Sequence, residues 1–348
     1  MPSKLGPHVL AGRPELAEFV QRGGRLVKLV SNHPAQEWLQ HNPDVLIIGR
    51  WFDPLTAGEQ WRSGIDPKQA ALDYVRMQER HYREMPEIRY WEGHNEPSFG
   101  APQDAEARAG MAWYASFEAE RVRLLADRGL RAVVGNFSTG YPEVEHDNRL
   151  WEAFLPALEA AHEHKGLLGL HEYGGPFLWS GWGPFNTGVE HGECGTTPTD
   201  DDTGWLALRY RKVHRQILAP HGMGRLPIVI TENGTDSVGT WCEPMFSGPW
   251  RRIKDRWLQW DGRTDPIDYW RGPERDPEIY YAEQLIWYDR EMQKDAYCVG
   301  STIFTLGNFG NPWDEFEISG TKTVRRLLDH IQGDPWVGPT DPWEVVEA

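Results

Sequence analysis

Two glutamates sit in matching surroundings. Glu96 lies in IRYWEGHNEP, behind Asn95 and ahead of Pro97, and Glu232 lies in LPIVITENG, ahead of Asn233 and Gly234. Each follows a strand-forming run and precedes residues that turn the chain, so a sheet would hold the carboxyl while a ligand could still reach it. Taken singly, either glutamate reads as a solvated carboxylate at a strand end. Together they suit chemistry in which one carboxyl delivers a proton to a poor leaving group while the other, ionised, attacks or stabilises the centre left behind. Charge on one such group keeps the proton on its neighbour, which divides the roles. A third motif, LLGLHEYGGP, puts His171 and Tyr173 two residues apart, hence on one side of an extended strand, with Glu172 facing the other way. A core histidine and a packing tyrosine are the plain alternative. Arg50, closing IIGRWFD, could orient a carboxylate or pair with Asp53.

Positioning these groups requires a repeated scaffold, and the pattern supplies one. Short apolar or β-branched runs at Lys4 to Val9, Leu26 to Val30, Val45 to Gly49, Ile88 to His94, Ala132 to Asn136, Leu167 to His171, Ile228 to Thr231 and Val299 to Phe304 read as eight strands. Helix-like stretches fall between them, near Pro14 to Arg22, Asp66 to Arg83, Asp104 to Arg128, Arg149 to His164, Trp205 to Leu218, Pro277 to Lys294 and Lys322 to Ile331, with a shorter connection at Ala35 to His41. Asp66 before Pro67 looks like a helix start and Gly129 like a helix stop. Eight βα units without an interior linker predict an α/β fold of the (β/α)8 barrel type, a single catalytic domain over 1–348 whose last stretch, 333–348, packs along the surface. Two connections, Glu172 to Gly204 and Thr235 to about Asp276, exceed ordinary turns and would rise from the C-terminal face, where barrel active sites sit.

Composition narrows the classes. The chain has 348 residues, 52 acidic against 36 basic, for a formal charge of -16, which disfavours nucleic acid and anionic lipid as partners. No apolar run approaches about 18 residues, and the start lacks a basic-then-apolar leader, so a soluble protein is expected, cytoplasmic as written or secreted if a signal was trimmed. Cys194, Cys242 and Cys298 have neither disulfide-framework nor zinc spacing. Neither GxGxxG nor a P-loop occurs, and no organic cofactor is implied. The 18 tryptophans exceed what a core of this size needs.

Asn-Glu-Pro after the fourth strand together with Ile-Thr-Glu-Asn-Gly after the seventh resembles the retaining glycoside hydrolases of clan A, over about residues 4 to 332 by strand order. The resemblance implies that Glu96 is the acid/base and Glu232 the nucleophile, that Asn95 binds a sugar 2-hydroxyl, and that Tyr173 or His171 contacts Glu232. It implies a β-linked glycan as substrate. The chain departs from the clan at two places. VKLVSNH offers Lys28, Ser31, Asn32 and His33 where many members carry an arginine, with Arg50 a possible substitute, and STIFTLGNFGNPW has Leu306 and Asn308 where many carry a tryptophan. Aromatic faces stack on sugar rings, and Trp179, Trp182, Trp241 and Trp313 are the candidates nearest strand ends, although long loops also use tryptophan for small cores of their own. Two other readings stand beside this one. A metal-dependent hydrolase would need convergence of His8, His33, His94 and His171, or a calcium site at Asp200 to Asp202; no metal ligand set is assigned. A carbohydrate-binding barrel without turnover would keep the cleft but have no need of both glutamates. Oligomeric state is not legible.

Overall fold

A computed structural model describes residues 2–31, 42, 44–144, 146–179, 202–204, 206–237, 248–259, 267, 269, 272–273, 275–308, 310 and 313–347. Eight parallel strands close into a barrel in chain order: β1 Leu5–Val9, β2 Leu26–Val30, β3 Leu46–Arg50, β4 Tyr90–Glu92, β5 Arg131–Phe137, β6 Leu167–Gly174, β7 Ile228–Thr235 and β8 Cys298–Phe304. They are buried along nearly their whole length, as strands covered on both faces must be. The helices that cover them start where local chemistry allows. Asp66 accepts hydrogen bonds from the N–H groups of Lys68 and Gln69 ahead of Pro67–Glu84, and Asp276 does the same for Glu278 and Ile279 ahead of Pro277–Met292. A helix that the strand count does not anticipate, Ala57–Arg62, opens on a reciprocal Thr56–Glu59 capping box. Among the described residues no helix is long and apolar enough to cross a membrane.

The lower barrel interior is apolar, filled by Leu26, Leu46, Ile48, Tyr90, Val133, Leu167, Val229 and Val299. Two residues further along β2 and β4 the inward positions become Lys28 and Glu92, so the filling turns ionic toward the C-terminal mouth. Helices carry the rest of the core, the Ala105–Ala126 and Arg149–Glu163 pair packing most extensively.

Four elements differ from the sequence expectation. β6 and β7 run on to Gly174 and Thr235, so Glu172, Tyr173 and Glu232 lie in strands and not at loop starts. β4 has three residues, and Gly93 to Asn95 continue without a ladder. Trp205 to Leu218 is not one helix: it is Tyr210–Val213 followed by a π turn, His214–Leu218. Its start is displaced because the buried Glu172 carboxylate accepts the N–H groups of Leu208 (2.6 Å) and Tyr210 (2.7 Å), which fixes Leu208 at φ 60°. The expected connection at Ala35 to His41 lies outside the described residues.

The tail crosses the N-terminal end of the barrel. Ser3 N–H donates to the Asp334 carbonyl, Trp336 N–H to Gly23, and the Arg25 guanidinium stacks 3.6 Å over the Trp336 ring. Asp341 pairs with Arg131 at 2.8 Å, and the buried Trp343 indole donates to Gly166 at 3.0 Å.

Candidate active site

Glu232 is placed by register. A bulge between Leu170 and His171 brings His171 opposite Glu232, and Tyr173 opposite Gly234, across the β6–β7 ladder. Strand alternation then turns His171, Tyr173 and Glu232 to the interior while Asn233 turns outward and donates to the Glu172 carbonyl at 2.9 Å. Glu96 reaches the same place from a strained backbone, φ 45°, with its N–H donating to the Asn136 carbonyl at 3.0 Å. Gly93 is required on the way. A Cβ there would stand 2.6 Å from Glu118 Oε1, part of a buried Glu118–Arg121 pair whose guanidinium also ties the Trp91 and Val133 carbonyls.

His171 Nδ1 lies 2.9 Å from Glu96 Oε1 and 3.5 Å from Glu232 Oε2, and the Tyr173 hydroxyl donates to Glu232 Oε2 at 3.1 Å. One oxygen of each glutamate and the imidazole nitrogen all fall within 4.8 Å of one another. Oε1 of Glu232 is ringed by basic side chains: Lys28 Nζ at 3.2 Å, Arg50 at 3.4 Å and His8 Nδ1 at 3.7 Å. Burial by itself would raise the Glu232 pKa; electrostatic attraction from His171, Lys28, His8 and Arg50 overcomes it and holds the carboxyl well below the usual range. Burial pushes the imidazole of His8 well down, with Lys28 adding to the effect, so His8 is neutral and the fixed charges come from Lys28 and Arg50. Burial, reinforced by Glu232, also lifts the Tyr173 phenol, keeping it a hydrogen-bond donor. The two glutamates differ in access, with side-chain exposures of 39% for Glu96 and 10% for Glu232.

Both open onto a cavity of about 390 Å³ at the C-terminal mouth, which Arg50, Asn95 and Tyr173 also line. Arg50 turns inward, donating to Asn95 as well as Glu232, and does not pair with Asp53. That aspartate is capped by Leu55 N–H and faces His94. Trp313 lines the cavity at 43% exposure. Behind it Phe304 and Phe316 make an aromatic wall with Tyr173. Leu306 is fully buried, and Asn308 is spent on Glu317.

Trp179 is a correction. It is buried at 2% exposure, stacks on Phe177 and donates to the Tyr280 hydroxyl at 2.9 Å, so it builds the core under a loop and offers no face to a ligand. Trp182, Trp241, His33, Asp200, Cys194 and Cys242 lie outside the described residues. His94 packs against Tyr74 and Phe117 away from the glutamates, so of the described histidines only His8 and His171 converge on them. Glu96, His171 and Glu232 are spaced so that one divalent ion could take all three.

Sequence reasoning noticed Lys28 as a departure and missed its partner Glu92, 3.0 Å away and equally buried. It also missed Thr139 and Asp236, and weighed His8 only as a metal ligand. The signal for Lys28 and Glu92 was available: each is a charge at an inward position of a buried strand. Thr139 gave none, although its hydroxyl accepts the Tyr173 N–H and donates to the His171 carbonyl.

No family model and no curated protein matches the chain. Solved structures do, and they are glycoside hydrolases, in keeping with the clan A likeness. A GH2 β-galacturonidase from Eisenbergiella tayi matches at 14% identity and TM-score 0.51 over 97% of this chain and 51% of its own. An endo-1,4-β-D-mannanase from Thermotoga petrophila matches at 11% identity and TM-score 0.47 over 95% and 99%, and an endo-β-1,4-glucanase from Bacillus halodurans at 12% and 0.47 over 94% and 59%. Identities this low speak for the fold alone, and this chain spans about half the length of the galacturonidase.

Proposed function

We propose that this chain is a retaining glycoside hydrolase that cleaves β-linked glycans by double displacement. The observation that carries the reading is the close approach of two unlike glutamates: oxygens of Glu96 and Glu232 lie within 4.8 Å, one carboxyl open to solvent and one buried among cations. Retaining pairs are separated by about 5 to 5.5 Å and inverting pairs by about 6.5 to 9.5 Å, and so close an approach of two carboxyl oxygens favours the retaining arrangement. Glu96 passes its proton to the glycosidic oxygen as Glu232 attacks the anomeric carbon, and the leaving alcohol departs. A water then gives its proton to Glu96 and its oxygen to that carbon, and the Glu232 carboxylate is released. Asn95, oriented by Arg50, faces the cavity where a 2-hydroxyl would sit, and Trp313 offers a face for a sugar ring.

Glu232→Gln keeps the shape and removes the nucleophile; glycan hydrolysis in it falls to background with the unfolding midpoint preserved. Near-wild-type turnover would refute the assignment. Glu96→Ala lowers kcat/KM by about 10²- to 10⁴-fold on glycans with poor leaving groups and much less on activated aryl glycosides. Equal losses on both would count against an acid role. Full activity after exhaustive chelation separates this chemistry from a metal-dependent one.

A further inference from the structure

A third carboxylate in the cavity has no part in the mechanism above. Asp236 follows β7 on the same inward side as Glu232 and lines the cavity with Glu96. Its N–H donates to the Gly174 carbonyl at 3.0 Å, which fixes it against the end of β6. Oδ1 accepts the Ser237 N–H at 2.6 Å and its hydroxyl at 3.3 Å, while Oδ2 accepts from no described residue. Burial, with the charge of Glu96 adding to it, pushes the Asp236 carboxyl upward.

The cations nearby are already engaged. Arg50, the one Lys or Arg among the described lining residues, serves Asn95 and Glu232. Lys28 is shut between Glu92 and Glu232, and Arg252, the guanidinium whose charge Asp236 feels, is forked onto Glu315. Of the segments outside the described residues, 32–41, 180–201, 238–247, 309 and 311–312 contain no Lys or Arg, whereas the later part of the connection after β7 holds Arg263 and Arg271. A substrate carboxylate entering here would meet Glu96, Asp236 and Glu232 with no free countercharge among the described lining residues, whereas sugar hydroxyls would find a carboxylate oxygen ready to accept a charge-assisted hydrogen bond.

We infer that Asp236 is a sugar-binding carboxylate that selects β-glycans of uncharged sugars over those carrying uronic acids. The inference rests on the glycosidase reading and names the substrate class of that site. Its test compares the whole chain on β-1,3- and β-1,4-linked gluco- and manno-oligosaccharides with the same oligosaccharides oxidised at C6 to uronates. Wild type hydrolyses neutral members with kcat/KM at least about tenfold above their oxidised partners. Asp236→Ala raises KM on neutral members about tenfold or more, the worth of a hydrogen bond to a charged group, and moves kcat less. Asp236→Asn, which keeps the shape if the alanine variant misfolds, narrows the neutral-to-uronate ratio. Equal or faster cleavage of the uronates, or unchanged kinetics in both variants, overturns the inference alone. Absence of hydrolysis of every member, with Glu232→Gln indistinguishable from wild type, fells the glycosidase reading and this inference with it.

Discussion

Lys28 places one ammonium between two carboxylates, 3.0 Å from Glu92 and 3.2 Å from Glu232, with neither Lys28 nor Glu92 reached by solvent. An opposite charge at that distance favours the ionised carboxylate by about one to three pKa units. Because the pKa of Glu232 is lowered on folding, its contribution to stability is present at neutral pH and is lost as pH falls below the usual carboxylate range. Lys28→Met therefore moves the acid limb of the kcat/KM profile upward by about one pH unit or more. It also costs about 3 to 5 kcal/mol in stability, because it leaves Glu92 buried without its partner. Adding Glu92→Gln recovers most of the stability and leaves the pH shift in place. Titration of kinetics and denaturant unfolding read the two effects separately, and an unmoved acid limb would exclude Lys28 as the group that holds Glu232 ionised.

Among the elements, β6 does two jobs with alternate residues. His171 and Tyr173 face the cavity, and Glu172 between them faces out, accepting hydrogen bonds from Leu208, Tyr210 and the Tyr288 hydroxyl. Burial pushes the Glu172 carboxyl up to about 7. A carboxyl raised on folding binds more protons folded than unfolded, so its stabilisation is complete at low pH and is lost as pH rises from about 4.5 to about 7. The unfolding midpoint of wild type declines over that window, and Glu172→Gln flattens the decline; a decline of equal size in the variant would place its origin elsewhere. This element also marks the limit of what was legible. The lower halves of the strands are apolar runs, readable because both faces are covered. The upper halves of β6 and β7, EYG and TENG, carry polar and turn-forming residues because they line a cavity, so local pattern ends the strand too soon. The partnering of Glu96 with Glu232 followed from the resemblance of their two motifs, taken together, to those of clan A. The bulge that sets His171 beside Glu232 depends on the neighbouring strand, and no local spacing encodes it. Trp179 failed as a ligand platform because a loop tryptophan looks the same in sequence whether its ring meets a sugar or Phe177.

Across the whole molecule, the two ends of the barrel are built differently. The C-terminal mouth carries the glutamates and the cavity, and the N-terminal end is covered by the tail, through Trp336 on Arg25, Asp341 on Arg131 and Trp343 on Gly166. Trp343→Ala removes a buried indole and its hydrogen bond, lowering stability by about 3 to 5 kcal/mol while leaving kcat and KM within about twofold of wild type at temperatures where the variant is folded. A comparable loss of activity would show that the two ends are coupled. Ser3 and Asp334 are joined on the side away from the mouth, so the barrel's first strand is braced at the end opposite the cavity that carries the two glutamates. Changes in the length of the connections at the mouth would therefore leave this bracing untouched.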